Sequence, residues 1–131
     1  MNIFENARGY HSAALRCNEK RANKDGSVEW LPIHATAIAA FACELYLKAI
    51  LSSKGIHAKG HGLLELFELL PKQTREIIGE IDTVKLDTVS QTFIKWRYLH
   101  ENITGNFHDE NVFVCELMEN LFHIAKPYFT K

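Results

Sequence analysis

The stretch IHATAIAAFACELYLKAILSSK, from Ile33 to Lys54, decides the fold. It is apolar at nearly every position, with Pro32 in front of it and Gly55 behind. Proline suits the first helical position, and glycine suits the residue just past the last turn. Before Lys54 its only formal charges are Glu44 and Lys48, four residues apart with the acid first. At 100° per residue these two share a face with Ile33, Ala37, Ala40 and Leu51, while Ile38, Ala42 and Leu45 cover other sides. A helix that is apolar all round must be enclosed by other elements. Its central ion pair is then at least partly withdrawn from water. About 20 apolar residues also suffice to cross a membrane. Two charges near the centre, each costing roughly 2.5–3.5 kcal/mol there, and the lack of a flanking basic cluster argue against a span. The stretch reads as the central helix of a soluble bundle.

A chain of 131 residues, 47% hydrophobic and 24% charged, is of the size and composition of one globular domain, residues 1–131, able to bury a core without disulfides or metal. Lys and Arg number 15 against 16 Asp and Glu, which argues against non-specific coating of nucleic acid but leaves room for a local basic patch. The charge is unevenly spread. Residues 1–24 carry Arg8, Arg16, Lys20, Arg21 and Lys24 against Glu5 and Glu19, whereas residues 101–131 carry five acids against two lysines. Cys17, Cys43 and Cys115 are widely spaced and odd in number, as small hydrophobes of a reducing compartment are. The N-terminus lacks the basic-then-apolar layout of a signal peptide. The expected location is the cytoplasm.

Outward from the central helix, Ile3, Ala7, Tyr10, Ala14 and Cys17 form one stripe of a first helix expected over Ile3–Ala22. Asp25-Gly26 marks a turn before Trp30 and Leu31. GIHAKGHG (55–62) is a loop, LLELFELL a short helix closed by Pro71, and PKQTREIIGEI a second short helix. Residues 82–85 read as a connector. A longer helix follows from Leu86, with Leu86, Val89, Phe93 and Trp96 on one stripe, through to Asn102. NITGNFHDEN reads as a polar loop with Asp109 as N-cap. The last helix, about Glu110–Lys126, has its stripe at Phe113, Leu117, Leu121, Ile124 and Tyr128. No stretch reads as a strand. The expected fold is all-α, an up-and-down bundle of four main helices with a short helical excursion between the second and third. Aromatics at Trp96, Tyr98, Phe107, Phe113 and Phe122 exceed what one small bundle hides, so the third and last main helices are expected to form a two-fold homodimer.

Among chemistry-bearing residues, seven histidines raise the question of metal. His57 and His61 are four apart, but no Asp, Glu or Cys completes a recognisable ligand set with them and HExxH is absent, so no metal and no other cofactor is assigned. Cys43 reads as a buried structural thiol. GIHAKGHG has neither phosphate-loop spacing. Two constellations remain. One is Glu44 with Lys48. The other is WRYLHE, where Arg97 and Glu101 are four apart with Tyr98 and His100 between them. On an exposed helix either is an ion pair worth about 0.2–0.5 kcal/mol. Glu44 sits on a helix too apolar to leave it in water, so its carboxylate calls for a donor from another helix, with Arg97 the natural candidate. Such a network serves either architecture or binding.

ACELYLKAIL, a loop, GHGLLELFELLP and then FIKWRYLHE, in that order between Ala35 and Glu101, resemble the HEPN superfamily of small all-α domains. Glu44 and Lys48 are similar to the E-x-x-x-K of that family's central helix. His61 is similar to the histidine that opens its short helix, and Arg97-Tyr98, with Glu101 after them, to its RY near the end of the third main helix. The resemblance implies a polar or ligand-binding set of Glu44, Lys48, His61, Arg97, Tyr98 and Glu101. It implies several functions too. Many HEPN domains are metal-independent ribonucleases with R-x(4–6)-H motifs paired across a dimer. Others bind nucleotides, partner a minimal nucleotidyltransferase or act as interaction modules. In this sequence no arginine has a histidine at that spacing; Arg97 is followed by His100 after two residues and by His108 after ten. The expectation is therefore a non-catalytic or weakly catalytic module binding a nucleotide, RNA or a protein such as a nucleotidyltransferase or antitoxin-like partner, in a defence or toxin–antitoxin-type system. The alternative is a ribonuclease with a displaced motif, Arg97 stabilising the phosphorane and His100 or His108 serving as base. On a regular helix Arg97 and His100 are offset by about 60°, close enough to address one site.

Overall fold

The computed structural model describes residues 1–60, 62–91 and 107–130, with Phe107 and His108 described by backbone alone. Over these residues the regular secondary structure is helical apart from one small hairpin. Helices α1 (Ile3–Cys17), α2 (Pro32–Ser53) and α6 (Phe107–Phe129) are long; α3 (Leu63–Leu69), α4 (Lys72–Ile78) and α5 (Thr83–Ser90) are short. Strands β1 (Arg21–Ala22) and β2 (Val28–Glu29) lie between α1 and α2. The all-α expectation and the excursion after the central helix agree with this arrangement. The expected third main helix is described only over α5, and Phe93, Trp96 and the residues to Asn102 lie outside the described residues.

Helix α2 is the centre of the structure, with Ala35, Ala39, Ala42, Cys43, Tyr46, Ala49, Ile50 and Leu51 all withdrawn from water. Its ends follow from its flanking residues. Pro32 occupies the first turn. At the other end Gly55 takes φ +76°, its N–H donates to Ser52 O, and the Ile56 N–H donates to Leu51 O. This pair of bonds satisfies the last carbonyls, and Ile56 turns back onto the core. By length and composition α2 alone among the described helices is apolar enough to cross a membrane, yet 67% of that window is buried inside the protein.

The contacts along α2 fix the orientation of its neighbours. Phe4 meets Tyr46, Tyr10 meets Phe41, and Leu31 N–H donates to Cys17 O, so α1 runs antiparallel to α2. Asn111 bonds Thr36, Cys43 bonds Val114 O, and Tyr46 meets Phe122, so α6 runs parallel to α2. The second and fourth members of an up-and-down bundle are related in this way. Phe4 is the common point, stacked on Phe122 at 5.9 Å and Phe129 at 5.3 Å and tilted against Tyr46 at 5.8 Å.

Several expected boundaries and faces move. Helix α1 stops at Cys17 rather than Ala22, because beyond Ala14 its inward positions fall on Asn18 and Arg21, which have nothing apolar to bury. The inward stripe is Phe4, Ala7, His11 and Ala14, and Tyr10 is exposed. The residues after α1 pair as a hairpin closed by Gly26 at φ +87°, with Asp25 accepting from the Ser27 N–H and hydroxyl. Those bonds hold the Asp25 carboxyl below its ordinary value. The hairpin is a strand pair that the sequence reading did not anticipate. Residues 82–85 are no connector. Asp82 accepts from the Lys85 N–H, and α5 begins at Thr83. Helix α6 begins at Phe107, which places Asp109 in its first turn rather than at its cap and turns Asn111 from a loop residue into a buried one. Along α6 the core takes Val114, Leu117, Met118, Leu121 and Ala125, while Phe113 and Ile124 pack at its edge and Tyr128 is exposed.

Two glycines separate conformational need from mere tolerance. Gly55→Ala places a Cβ in the left-handed region and is expected to lower stability by about 1–2 kcal/mol. Gly9 lies exposed inside α1 with no atom within 4 Å of a built Cβ, so Gly9→Ala is expected to raise stability by about 0.5–1 kcal/mol. Urea melts of the two variants should move in opposite directions.

Candidate functional site

Two polar groups sit on opposite sides of α2. Lys48 Nζ donates to Glu44 Oε2 at 3.3 Å, with the side chains only 18% and 14% exposed, so the central pair is largely buried as its helix required. Each of the two interacts beyond this bond. Of the other residues expected at the site, His61, Arg97, Tyr98, His100 and Glu101 lie outside the described residues. His108 stands in the first turn of α6, with its backbone alone described. The structure therefore brings together Glu44 and Lys48 from that set.

Glu44→Ala tests this environment. A buried pair broken on one side strands the other charge, and the expected loss is about 3 kcal/mol, at the lower end of the range for such pairs. An exposed pair would cost less than about 1 kcal/mol. A denaturant melt of the single variant distinguishes these values.

The second group was not legible from the sequence. Tyr46 lies about 200° around α2 from both Glu44 and Lys48, facing the junction of α1 and α6. Its hydroxyl is 2.7 Å from His11 Nδ1, and His11 Nε2 is 2.8 Å from Glu119 Oε1. One residue from each long helix thus enters a single chain of hydrogen bonds. Burial raises the Tyr46 phenol well above the usual tyrosine range, the Arg8 guanidinium working against that rise and Cys43 and Glu119 adding to it. The Tyr46 hydroxyl therefore keeps its proton and shares a hydrogen bond with Nδ1, while Nε2–H donates to the Glu119 carboxylate, which can only accept. The His11 ring meets Tyr46 and Phe122 edge-on and is closed off from water, while the Glu119 side chain is 48% exposed. The signal in the sequence was the stripe Phe4-Ala7-His11-Ala14, which shares Ala7 and Ala14 with the stripe through Tyr10 and takes the next residue along in place of Ile3 and Tyr10.

The cysteines carry no reactive signature. Burial raises the Cys43 thiol far above its ordinary value, and Cys43 donates to Val114 O at 3.7 Å. Burial, then Glu119, raises Cys115. Raised thiols hold little thiolate. Among the described residues no three His, Cys, Asp or Glu side chains converge on a metal position. A shallow cleft of about 530 Å³ between Phe67, Lys72, Arg75, Glu76, Gly79, Glu80 and Ile81 contains none of these polar groups.

With the bundle and its central ion pair in place, comparison with known proteins gives the family. A family model described as the HEPN domain matches residues 20–126, more than four-fifths of the 131-residue chain. The chain belongs to the HEPN family. No curated protein and no solved structure matches it. The HEPN match contains α2 with Glu44 and Lys48 and nearly all of α6, whereas α1, and His11 with it, precedes the matched segment.

Tyr46→Phe deletes the hydroxyl bonded to His11 and leaves Nδ1 inside the protein without its partner. The expected loss is about 1–3 kcal/mol. In a double-mutant cycle with His11→Leu, the two substitutions should be non-additive by about 0.5 kcal/mol or more. Thermal or urea melts of the four proteins measure both quantities.

Proposed function

We propose that this chain is a non-catalytic or weakly catalytic HEPN module of the cytoplasm. It works as a two-fold homodimer that binds a nucleotide, an RNA segment or a protein partner, of nucleotidyltransferase or antitoxin-like type, in a defence or toxin–antitoxin-type setting. The observation that carries this reading is one of spacing. The arginines Arg8, Arg16, Arg21, Arg75 and Arg97 are all without a histidine that follows after four to six intervening residues, so the motif of the family's ribonucleases is missing. The environment of His11 supports it. His11 follows Arg8 at a spacing that would let both address one site, but both its ring nitrogens are engaged within the bundle, leaving neither for a substrate hydroxyl. The homodimer rests on apolar side chains left in water, including Val112 on α6. Phe113 and Phe122 pack against the core instead and do not add to that surface.

Ligand contact is assigned to Glu44, Lys48, His61, Arg97, Tyr98 and Glu101. Purified protein without added metal is expected to show no RNA cleavage that disappears in both Arg97→Ala and His100→Ala. The Arg97→Ala change is expected to weaken nucleotide or RNA binding, or dimerisation, while His100→Ala has little effect. Cleavage lost in each variant, with melting curves like the parent's, would overturn this reading in favour of a ribonuclease with a displaced motif, since loss of a general base typically costs 10²–10⁴-fold in rate.

A further inference from the structure

We propose that the cleft formed by α3, α4 and the chain entering α5 binds a small zwitterion with a bulky apolar body. This is the chemistry of an aromatic or branched amino acid, or of a short apolar peptide with free ends. The site is separate from Glu44 and Lys48 and from the His11 bonds, and it goes beyond the proposed function. Its volume of about 530 Å³ falls within the range of small-molecule sites, roughly 300–1,000 Å³.

The apolar part of the cleft is anchored to the core. Phe67 near the end of α3 and Ile81 before α5 are half-buried, each packed against the core and each lining the cleft. Between them Gly79 caps α4 at φ +91° and ψ −172°, a conformation open in practice to glycine alone. Its N–H donates to Arg75 O, and the preceding carbonyl, Ile78 O, accepts from Asn120 Nδ2 on α6. The turn is thus tied both to its own helix and to the last one, which fixes where Ile81 returns. A Cβ built at Gly79 meets no atom within 4 Å, so the wall there is bare backbone that a ligand can approach closely.

Charge decides the class of ligand. Lys72 and Arg75 line the cleft along α4, and Glu76 and Glu80 line it further on. All four are exposed, and among the described residues none of them is in an ion pair. Lys72 and Glu76 are four apart, but in the base-first order that pairs less well than acid-first. Each sign is instead grouped, the two bases ahead of the two acids along the chain. An anion drawn to Lys72 and Arg75 meets two carboxylates in the same cleft, and a cation drawn to Glu76 and Glu80 meets two bases. Such like-charge encounters oppose binding. A nucleotide, whose phosphates have no positive charge of their own to offset them, is disfavoured in the same way. A molecule with one acidic and one basic group suits both pairs, and its apolar body covers Phe67 and Ile81.

The test titrates the full-length, nitrogen-15-labelled protein with defined probes and follows the Gly79 and Ile81 amide signals by NMR. The probes are L-phenylalanine, its amide (no carboxylate), N-acetyl-L-phenylalanine (no ammonium) and the dipeptide L-leucyl-L-phenylalanine. Both zwitterions are expected to give saturable shifts and to bind at least about threefold tighter than either singly charged probe. The tighter of the two zwitterions tells a free amino acid from a short peptide as the source. Lys72→Gln combined with Arg75→Gln should erase the advantage of L-phenylalanine over its amide and keep its advantage over the acetyl form. Glu76→Gln combined with Glu80→Gln should do the reverse. All four positions are exposed, and melting curves like the parent's confirm that the variants fold. Gly79 and Ile81 signals that no probe moves would overturn the site. Equal affinity for all four probes, or tightest binding of a singly charged one, would overturn the zwitterion class. Advantages that neither double variant changes would overturn the roles given to the four charges.

Discussion

Everything in this bundle depends on the need to enclose a helix that has no face suited to water. Alanines at 35, 39, 42 and 49 let neighbouring backbones come close to α2, while Tyr46, Leu47, Ile50 and Leu51 fill the space between. Burying aliphatic and aromatic side chains of this size stabilises by roughly 1.5–3 kcal/mol each. No other segment of the described chain concentrates so much apolar surface, which is why α1 and α6 make their most extensive contacts with α2. The HEPN family match, over residues 20–126, contains this helix and its ion pair.

Enclosure alone leaves the neighbours free to slide, and polar bonds remove that freedom. At one end Asn111 bonds both Pro32 O and Thr36 Oγ1, holding the start of α6 to the first turn of α2. In the middle His11 joins Tyr46 to Glu119, holding α1 to both partners at once. A one-residue slip would part these bonds and leave buried polar atoms unmatched, a cost of about 1–3 kcal/mol for each. Because α1 precedes the segment matched by the family model, the His11 bond joins a helix outside that match to the helices within it. The same helix supplies Phe4 to the aromatic cluster.

The two sides of α2 serve different ends. The side toward α1 and α6 is closed by Tyr46 and aromatic rings. The opposite side carries Glu44 and Lys48, a charged pair kept largely from water at a desolvation cost that hydrophobic residues of similar size would avoid. Under the proposed function, that cost is offset by what the pair positions for a ligand.

Composition and period by themselves determined the all-α class, the central helix with its proline and glycine boundaries, and the partial burial of Glu44 and Lys48. These follow from local signals: an uninterrupted apolar run, two residues with special backbone preferences, and charges four apart. Tertiary structure decided the faces and the joins. Whether α1 turns Tyr10 or His11 inward is a difference of one residue, and the stacking of Phe4 on Phe122 and Phe129 settles it. Asn111 looked like loop because its polarity is a surface signal, and only the approach of Thr36 and Pro32 O gives it partners. The hairpin was invisible for a related reason. Two residues per strand carry no readable period, and its pairing depends on Asp25 and Gly26 folding a stretch that the bundle has no room to bury.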